Sequence, residues 1–431
     1  MKSAYIFRRD LRLNDNTALL AALEQSDTVY CFFCLDPRQV GKNEYKSDNA
    51  IEFMFNSLTE LAGDLKKNGG KLHIFHGRPT ELPLDKFDAV YVNRDYTPFS
   101  VQRDKELQAA CEKAGATFHS FHDYLLTNPG DVMTGGGTPY TVYTPFMRRA
   151  RTVPVRKVVE NTHTNYGSMK VGGPLPKIHS NPHLFRKGGR TEALSILSEL
   201  NNHKKYYDER NFPSIMGTTG LSAHNKFGTV SIREVYWAMK KTVGLDNGLV
   251  NELYWRDFYT HVAYHYPHVF GSAFRKKYND VKWSHDKKLF KLWCEGKTGF
   301  PIVDAGMRQL NETGWMHNRV RMIVASFLTK TLHIDWQWGE KYFAQKLVDY
   351  DPCVNNGGWQ WAASTGTDAQ PYFRIFNPWR QQEKFDADCA YIKRWVPELS
   401  GYTRKEIHKG EATEQIVDHD VERKITLEMF K

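Results

Sequence analysis

Hydrophobic positions follow two different periods along this chain, and the change divides the sequence into two parts. Up to about residue 125, β-rich runs such as SAYIF, DTVYCFFCLD and FDAVYVNRD alternate with amphipathic segments such as residues 47–67 and 100–114. Short apolar runs are typical of buried strands, and apolar residues spaced three and four apart are typical of helices. Their alternation predicts an α/β domain with a doubly wound parallel sheet, Rossmann-like in organisation, over residues 1–128.

The second part of the chain has a different composition and a helical period. Residues 129–190 are rich in Gly, Pro, Thr and Asn, which predicts an interdomain linker. From residue 191 to 431 strand signals nearly vanish, so we predict a larger all-α domain there. All eleven tryptophans lie in this last part. Core packing is the ordinary role of such residues, but this density also suits stacking on bases or on a planar cofactor.

Composition narrows the class of protein. The 431 residues are 41% hydrophobic, which excludes a disordered chain, and no stretch approaches the roughly 20 apolar residues that cross a bilayer. We therefore expect a protein that binds no membrane and is cytoplasmic or associated with the nucleoid. The formal charge of +10 favours a polyanionic partner. The six cysteines form no ligand pattern typical of metal sites, so we predict no metal.

Two helical segments each place chemically active side chains on one face. In NELYWRDFY, Glu252, Trp255, Arg256 and Tyr259 fall at i, i+3, i+4 and i+7. Surface ion pairing of Glu252 with Arg256 is one explanation. The alternative is that Glu252 accepts a hydrogen bond from a heterocycle while Trp255 stacks on it.

The second such segment is GWMHNRVRM, in which Trp315, Asn318, Arg319 and Met322 have the same spacing. An amide, a guanidinium and a thioether suit a base edge, a phosphate and an adaptable apolar surface. Further along, the segment DYDPCVNNGGWQWAASTG combines two acids, two amides, a Gly pair and two indoles, as a cofactor site requires. The Thr218–Ser222 loop offers hydroxyl and backbone donors for a diphosphate.

The segments TGFPIVDAGMRQL, GWMHNRVRM and NNGGWQWAASTGTDAQPYFRIFNP, in this order, resemble the photolyase and cryptochrome family. The resemblance covers essentially the whole chain, is densest over residues 251–378, and is closest to class I cyclobutane pyrimidine dimer photolyases. It implies reduced FAD in the helical domain, UV-damaged DNA as partner, a flipped dimer next to the flavin, and a lyase driven by blue light. We expect a monomer.

The resemblance also implies roles for individual residues. Asn355 falls beside the flavin N5, Glu252 at the dimer, and Trp359, Trp336 and Trp293 in a chain that carries electrons from the surface to the flavin. Trp338 and Trp315 are expected to be packing residues. The implied cofactor-binding residues are Tyr206, Thr218, Thr219, Gly220, Leu221, Ser222, Arg256, Arg321, Asp349, Tyr350 and Asp351. The implied lesion-binding and DNA-binding residues are Arg210, Glu252, Trp255, Tyr259, Asn318, Arg319, Met322, Trp361 and Arg374.

The chain departs from the family pattern where a second, antenna chromophore binds. Phe99 and Ser100 stand where folate-binding members carry Asn and Glu. The segments CFFCLDP and NRDYTP favour a deazaflavin over methenyltetrahydrofolate, and an empty site is the third alternative. Two other functions remain open: a cryptochrome photoreceptor, and a (6-4) photolyase, which typically has a His pair where this chain has His317 and Asn318.

Overall fold

The computed structural model describes residues 1–178 and 180–431 of the chain. Its strands are β1 Lys2–Phe7, β2 Thr28–Cys34, β3 Leu72–Phe75, β4 Ala89–Asn93 and β5 Thr117–Phe121. Its helices are α1 Thr17–Gln25, α2 Pro37–Val40, α3 Asp48–Lys67, α4 Pro98–Ala114, α5 Tyr143–Ala150, α6 Arg190–Ser198, α7 Tyr206–Glu209, α8 Ser222–Phe227, α9 Ile232–Thr242, α10 Gly248–His265, α11 Lys287–Glu295, α12 Pro301–Thr313, α13 Asn318–Lys330, α14 Trp336–Lys346, α15 Pro352–Ala362, α16 Pro378–Phe385, α17 Ala390–Trp395, α18 Arg404–Lys409 and α19 His419–Met429.

The five strands form one parallel sheet in the order β3-β2-β1-β4-β5. Strand β1 lies in the centre, where Tyr5 pairs with Cys31 of β2 and with Tyr91 of β4. All three side chains are buried, as expected for a parallel sheet covered on both faces. The predicted doubly wound sheet is therefore confirmed, and its order reverses between β1 and β4, where such sheets bind ligands.

The chain folds as two compact units, and each unit consists of three separate segments of the sequence. The first unit consists of Met1–Ser180, Arg186–Lys204 and Gly220–Pro267. It holds the sheet together with α1–α6 and α8–α10.

The second unit consists of Asn181–Phe185, Lys205–Thr219 and His268–Lys431, and it is helical. This confirms the predicted α/β and all-α parts as a fold class. The predicted domains 1–128 and 191–431 with a linker over 129–190 remain a prediction about folding units.

A buried cluster of charges explains why helix α9 belongs to the first unit. Arg12 donates to Asp123 at 2.6 Å, while Arg233 on α9 donates to Asp15 at 2.7 Å and to Asp123 at 2.7 Å. All four side chains are buried. Burial alone would raise the pKa of Asp123, but Arg12 and Arg233 hold that pKa below its usual range. We name these four residues the charge cluster.

The TGFPIVDAGMRQL segment has structural roles in the second unit. Asp304 accepts hydrogen bonds from the backbone of Thr298 and Gly299 and from the Thr298 hydroxyl, at 2.7 to 3.0 Å. Gly306 lets α12 approach α13, because a Cβ at this position would lie 2.4 Å from a methyl carbon of Val320. This segment therefore shapes the helical core instead of supplying reactive groups.

Hydropathy along the helices bears on membrane association. Within residues 1–178 and 180–431, no helix combines the length and the apolar character needed to cross a membrane.

We expect Asp123→Asn to lower the free energy of unfolding by about 3–5 kcal/mol, because it leaves the buried guanidinium of Arg12 without its carboxylate partner and Arg233 with Asp15 alone. Urea unfolding followed by circular dichroism measures this change. Asp388→Asn is the control, since Asp388 pairs with Arg404 at an exposed site. Equal, small effects of both substitutions would contradict the structural role of the charge cluster.

Candidate functional site

Helix α10 presents the first group of candidate residues in the first unit. Asn247 caps the helix by accepting a hydrogen bond from the backbone of Leu249 at 3.0 Å. Glu252, Trp255 and Tyr259 are half-buried on its partly exposed side. The Trp255 ring stacks on Tyr143 with 3.5 Å between centroids and an interplanar angle of 6°. The indole is therefore a fixed wall, as a stacking surface requires.

Arg256 is engaged within the same unit. Its guanidinium donates to the backbone carbonyls of Tyr124 and Asn225, the latter at 3.1 Å, and its Cζ lies 4.6 Å from the centre of the Tyr124 ring. Because Asn225 belongs to α8, these bonds connect α8 to α10. Arg256 thus supports the helix that follows the predicted phosphate loop, and its contact with a cofactor remains a prediction.

The predicted phosphate loop is divided between the two units. Thr218 and Thr219 end a segment of the second unit, whereas Gly220, Leu221 and Ser222 begin a segment of the first. Gly220 has φ of 70°, a left-handed conformation that favours glycine, and Ser222 is the first residue of α8.

Asp349 and Arg321 form an ion pair in the second unit. Arg321 donates to Oδ2 of Asp349 at 2.8 Å and to the carbonyl of Met316 at 2.8 Å. Asp349 is buried, and its Oδ1 atom accepts no hydrogen bond from the part of the chain that the structure describes. Asp351 instead caps α15 through the backbone of Cys353 and Val354. Tyr350, between the two acids, is half-buried.

His317 is a residue whose place the sequence analysis missed. Its Nδ1 accepts from the backbone of Arg319 at 3.2 Å, and burial lowers its pKa to about 4. The neutral ring therefore carries its hydrogen on Nε2. That buried atom has no acceptor among the described residues. The signal in the sequence was a His directly before Asn318 at a helix start, which reads equally well as an ordinary cap.

A cavity of about 270 Å³ lies in the second unit. Thr218 of the predicted phosphate loop lines it together with Trp315 and His317. Trp315 stacks on Phe185 with 4.0 Å between ring centroids. Trp315 was expected to be a packing residue, and the structure adds that it forms part of a cavity wall.

Asn355 is oriented by its neighbours on α14 and α15. Its amide nitrogen donates to the carbonyl of Glu340 at 3.0 Å. Trp359, one helical turn further along α15, is buried, and a Cβ on Gly339 would lie 2.1 Å from its ring. The glycine thus provides room for the indole.

Trp293, one of the three tryptophans expected to form the electron chain, lies in the core of the second unit. Trp293 is fully buried, its Nε1 donates to the carbonyl of Val324 at 3.1 Å, and its ring centroid lies 6.1 Å from that of Trp359. It is therefore an inner neighbour of Trp359. Trp336 is also buried, whereas Trp283 is half-buried. Spacing along the sequence carries no information on exposure, so it could not indicate which tryptophan lies nearest the surface.

The candidate DNA-binding residues of the second unit lie partly at its surface. Arg319 donates to the Asn211 side chain at 2.6 Å, and the guanidinium of Arg210 lies 5.0 Å from the ring centre of Tyr206, which is buried. Asn318 and Arg374 are exposed, and Met322 and Trp361 are half-buried.

No group of three or more His, Cys, Asp or Glu side chains within residues 1–178 and 180–431 has the arrangement of a metal site. The absence of a metal remains a prediction.

Comparisons with known proteins identify the family. The family description "DNA photolyase" matches residues 3–161, and "FAD binding domain of DNA photolyase" matches residues 249–431. A deoxyribodipyrimidine photo-lyase of Synechococcus sp. is 38% identical over 97% of this chain and 94% of the relative.

Solved structures give the same result. An archaeal photolyase from Sulfolobus tokodaii, described with two FAD molecules, is 41% identical with a TM-score of 0.89, covering 100% of this chain and 99% of that one. A cryptochrome of Synechocystis sp. is 27% identical with a TM-score of 0.90, covering 100% of this chain and 99% of that one. Since relatives well above 30% identity match along nearly their whole length, the chain belongs to the DNA photolyase family.

Proposed function

We propose that this protein is a deoxyribodipyrimidine photo-lyase that binds UV-damaged DNA and uses blue light to split cyclobutane pyrimidine dimers. The observation that carries the proposal is the similarity to photo-lyases of the same name along 97% of this chain. The cryptochrome alternative has less support, because the cryptochrome is 27% identical and the archaeal photolyase 41%. Asn318 disfavours a (6-4) photolyase, which requires a histidine acid there.

The chain offers groups that fit FAD. Asp349 has a buried acceptor atom and His317 a buried donor atom without partners in the described part of the chain. Buried polar groups are normally hydrogen-bonded, so the Asp349 oxygen suits a hydroxyl or ring N–H of a cofactor, and the His317 N–H suits one of its hydroxyl or carbonyl oxygens. The residues that would hold it are Tyr206, Thr218, Thr219, Gly220, Leu221, Ser222, Arg256, Arg321, Asp349, Tyr350 and Asp351. When bound and reduced, FAD supplies the electron that light transfers to the dimer.

Asn355 and Glu340 prepare the place assigned to the flavin N5. Because the nitrogen of Asn355 donates to the Glu340 carbonyl, its orientation is set by the protein. Burial raises the pKa of Glu340 to about 7, although the amides of Asn355 and Asn356 hydrogen-bond its side chain and oppose that rise. An uncharged amide beside a carboxyl whose pKa is raised adds less negative charge next to a reduced flavin than two ordinary carboxylates would.

Glu252 and Trp255 are assigned to the lesion. A damaged base pair is extruded at reduced cost because its stacking and pairing are already weakened. The Trp255 ring, held against Tyr143, offers a flat apolar surface, and Glu252 one turn earlier offers an acceptor for a base edge. Tyr259, Asn318, Met322 and Trp361 are the further lesion contacts in this proposal, and Arg210, Arg319 and Arg374 face phosphates.

For the electron relay we assign Trp359 next to the flavin, Trp336 in the middle and Trp283 at the outer end. Ser284 pairs with Ile334 and donates to the carbonyl of His333 at 2.6 Å. This bridge brings the half-buried Trp283 beside the segment that leads into Trp336. Trp293 is left as a buried neighbour of Trp359.

For the second chromophore we propose a tricyclic ring of flavin or deazaflavin type in the first unit. The Sulfolobus tokodaii relative is described with two FAD molecules. In this chain Ser100 is buried and hydrogen-bonded to Thr97, so its hydroxyl is used by a helix cap. The carboxyl ends of β1 and β4 are the expected place. We further expect a monomer in the cytoplasm or with the nucleoid.

The direct test is repair of a thymine-dimer oligonucleotide by the purified protein with reduced FAD. We expect thymine absorbance to recover under blue light and not in the dark. Protein with bound, reduced FAD that gives no recovery would contradict the proposed lyase and favour a photoreceptor.

We expect Trp359→Phe to block photoreduction of oxidised FAD, because phenylalanine is not oxidised in place of the indole, while chemically reduced protein still repairs DNA. Flavin absorbance under illumination measures the first effect. Trp283→Phe should slow photoreduction and Trp338→Phe should not. If photoreduction is slower in Trp338→Phe and unchanged in Trp283→Phe, the outer end of the relay lies near Trp293 instead, because Phe290 contacts both Trp293 and Trp338.

We expect the free energy of unfolding of flavin-free Glu340→Gln to rise relative to the natural chain between pH 4.5 and 7, by up to about 3 kcal/mol. The folded protein favours the protonated carboxyl, so the natural chain loses stability as pH rises through this window, whereas glutamine does not titrate. Urea unfolding at pH 5 and pH 8 measures the difference. Glu383→Gln, at an exposed position, is the control, and a pH-independent difference for Glu340→Gln would contradict the raised pKa.

A further inference from the structure

The loop of residues 368–377 carries Arg374 and is held at several points in the second unit. It runs between Thr367, which is buried, and Pro378, the first residue of α16. The Tyr372 ring stacks on Phe430 with 6.0 Å between centroids, and Phe376 packs against the helical core. The residues between these two anchors are more open, and the side chain of Phe373 is 61% exposed.

Lys330 lies under this open stretch. It is the last residue of α13 and is only 1% exposed, which is unusual for a lysine. Its Nζ donates to the carbonyl of Arg374 at 3.4 Å. The Lys330 carbonyl in turn accepts from the Thr426 hydroxyl of α19 at 2.6 Å. Helix α13, helix α19 and the 368–377 loop are thus connected through one residue.

Burying an amine destabilises the fold, so packing alone does not explain why a lysine stands at this position. Burial lowers the pKa of Lys330 to about 7. Either protonation state keeps an N–H group that donates to a carbonyl, so the contact with Arg374 persists through neutral pH. A methionine of similar size would fill the same space without the free-energy cost of burying an amine. It would lose the hydrogen bond that Lys330 donates to the backbone of the loop.

We propose that Lys330 is a positioning residue that holds the backbone of Arg374, so that the Arg374 guanidinium is presented to a DNA phosphate. The Arg374 side chain is exposed, and its backbone N–H donates to the carbonyl of Pro371 at 2.9 Å. The Lys330 bond lies on the other side of the same residue and completes the turn. The DNA contact of Arg374 rests on the proposed function, whereas the attachment of the loop does not.

The first measurement is hydrogen exchange in the FAD-bound protein, comparing the natural chain with Lys330→Met and Thr329→Val. Thr329 is the matched control, since its buried hydroxyl donates to the carbonyl of Ala325 within α13. We expect exchange of the Arg374 amide to become about tenfold faster or more in Lys330→Met only. Thermal unfolding of this variant should occur at the same or a higher temperature, because a buried amine has been removed.

Faster exchange at Arg374 together with an equal or higher unfolding temperature distinguishes the loss of a positioning contact from a general loss of structure. Unchanged exchange of residues 372–377 in Lys330→Met would overturn the proposal, as would equal acceleration in Thr329→Val. If Lys330→Met fails to fold, Lys330→Gln, which keeps an N–H donor, is measured instead. Natural exchange rates in that variant support the proposal, and accelerated rates overturn it.

The second measurement is the salt dependence of binding to dimer-containing DNA in the dark. We expect Lys330→Met and Arg374→Ala each to reduce the log-log slope by about 0.9, one phosphate contact, and the double variant to reduce it no further. Additive reductions would overturn the proposal. If Arg374→Ala alone leaves affinity and slope unchanged, the DNA contact in the proposed function is wrong, and hydrogen exchange alone decides whether Lys330 holds the loop.

Discussion

The charge cluster of Arg12, Asp15, Asp123 and Arg233 is the constraint on which the first unit depends. Two acids and two guanidinium groups are buried together, and each compensates the desolvation of the others. Asp123 follows the last strand, Arg12 and Asp15 lie after the first, and Arg233 belongs to α9. The cluster therefore connects the carboxyl end of the sheet to the helical segment that continues into α10. The orientation of α10, the helix that we propose faces the lesion, thus depends on ion pairs made by residues outside it.

Two buried polar side chains of the second unit, Asp349 and His317, are only partly hydrogen-bonded by the described residues. Arg321 satisfies one oxygen of Asp349, and the backbone of Arg319 satisfies one nitrogen of His317, while the second polar atom of each side chain has no partner among the described residues. Such atoms are costly in a finished core. Their cost is explained if the fold is completed by a polar cofactor, and this agrees with the FAD-binding family description that matches residues 249–431.

Much of the fold was predictable because the signals are local. The periods of strand and helix, the caps at Asn247 and Asp351, and the shared face of Glu252, Trp255 and Tyr259 all follow from residues close in sequence. What the sequence did not indicate concerns partners distant in sequence. Trp293 donates to the carbonyl of Val324, and Trp315 stacks on Phe185 in the wall of a cavity.

The sequence by itself determined the secondary structure elements, the α/β and all-α classes and the set of residue types available for chemistry, because these depend on local periodicity and on side-chain identity. Only the tertiary structure decided which of these side chains are buried or already hydrogen-bonded within the protein. Arg256 donates to the carbonyls of Tyr124 and Asn225. Trp293 donates to the carbonyl of Val324, and Lys330 donates to that of Arg374. Burial and hydrogen-bond satisfaction depend on segments that meet only when the chain has folded, so no local pattern encodes them.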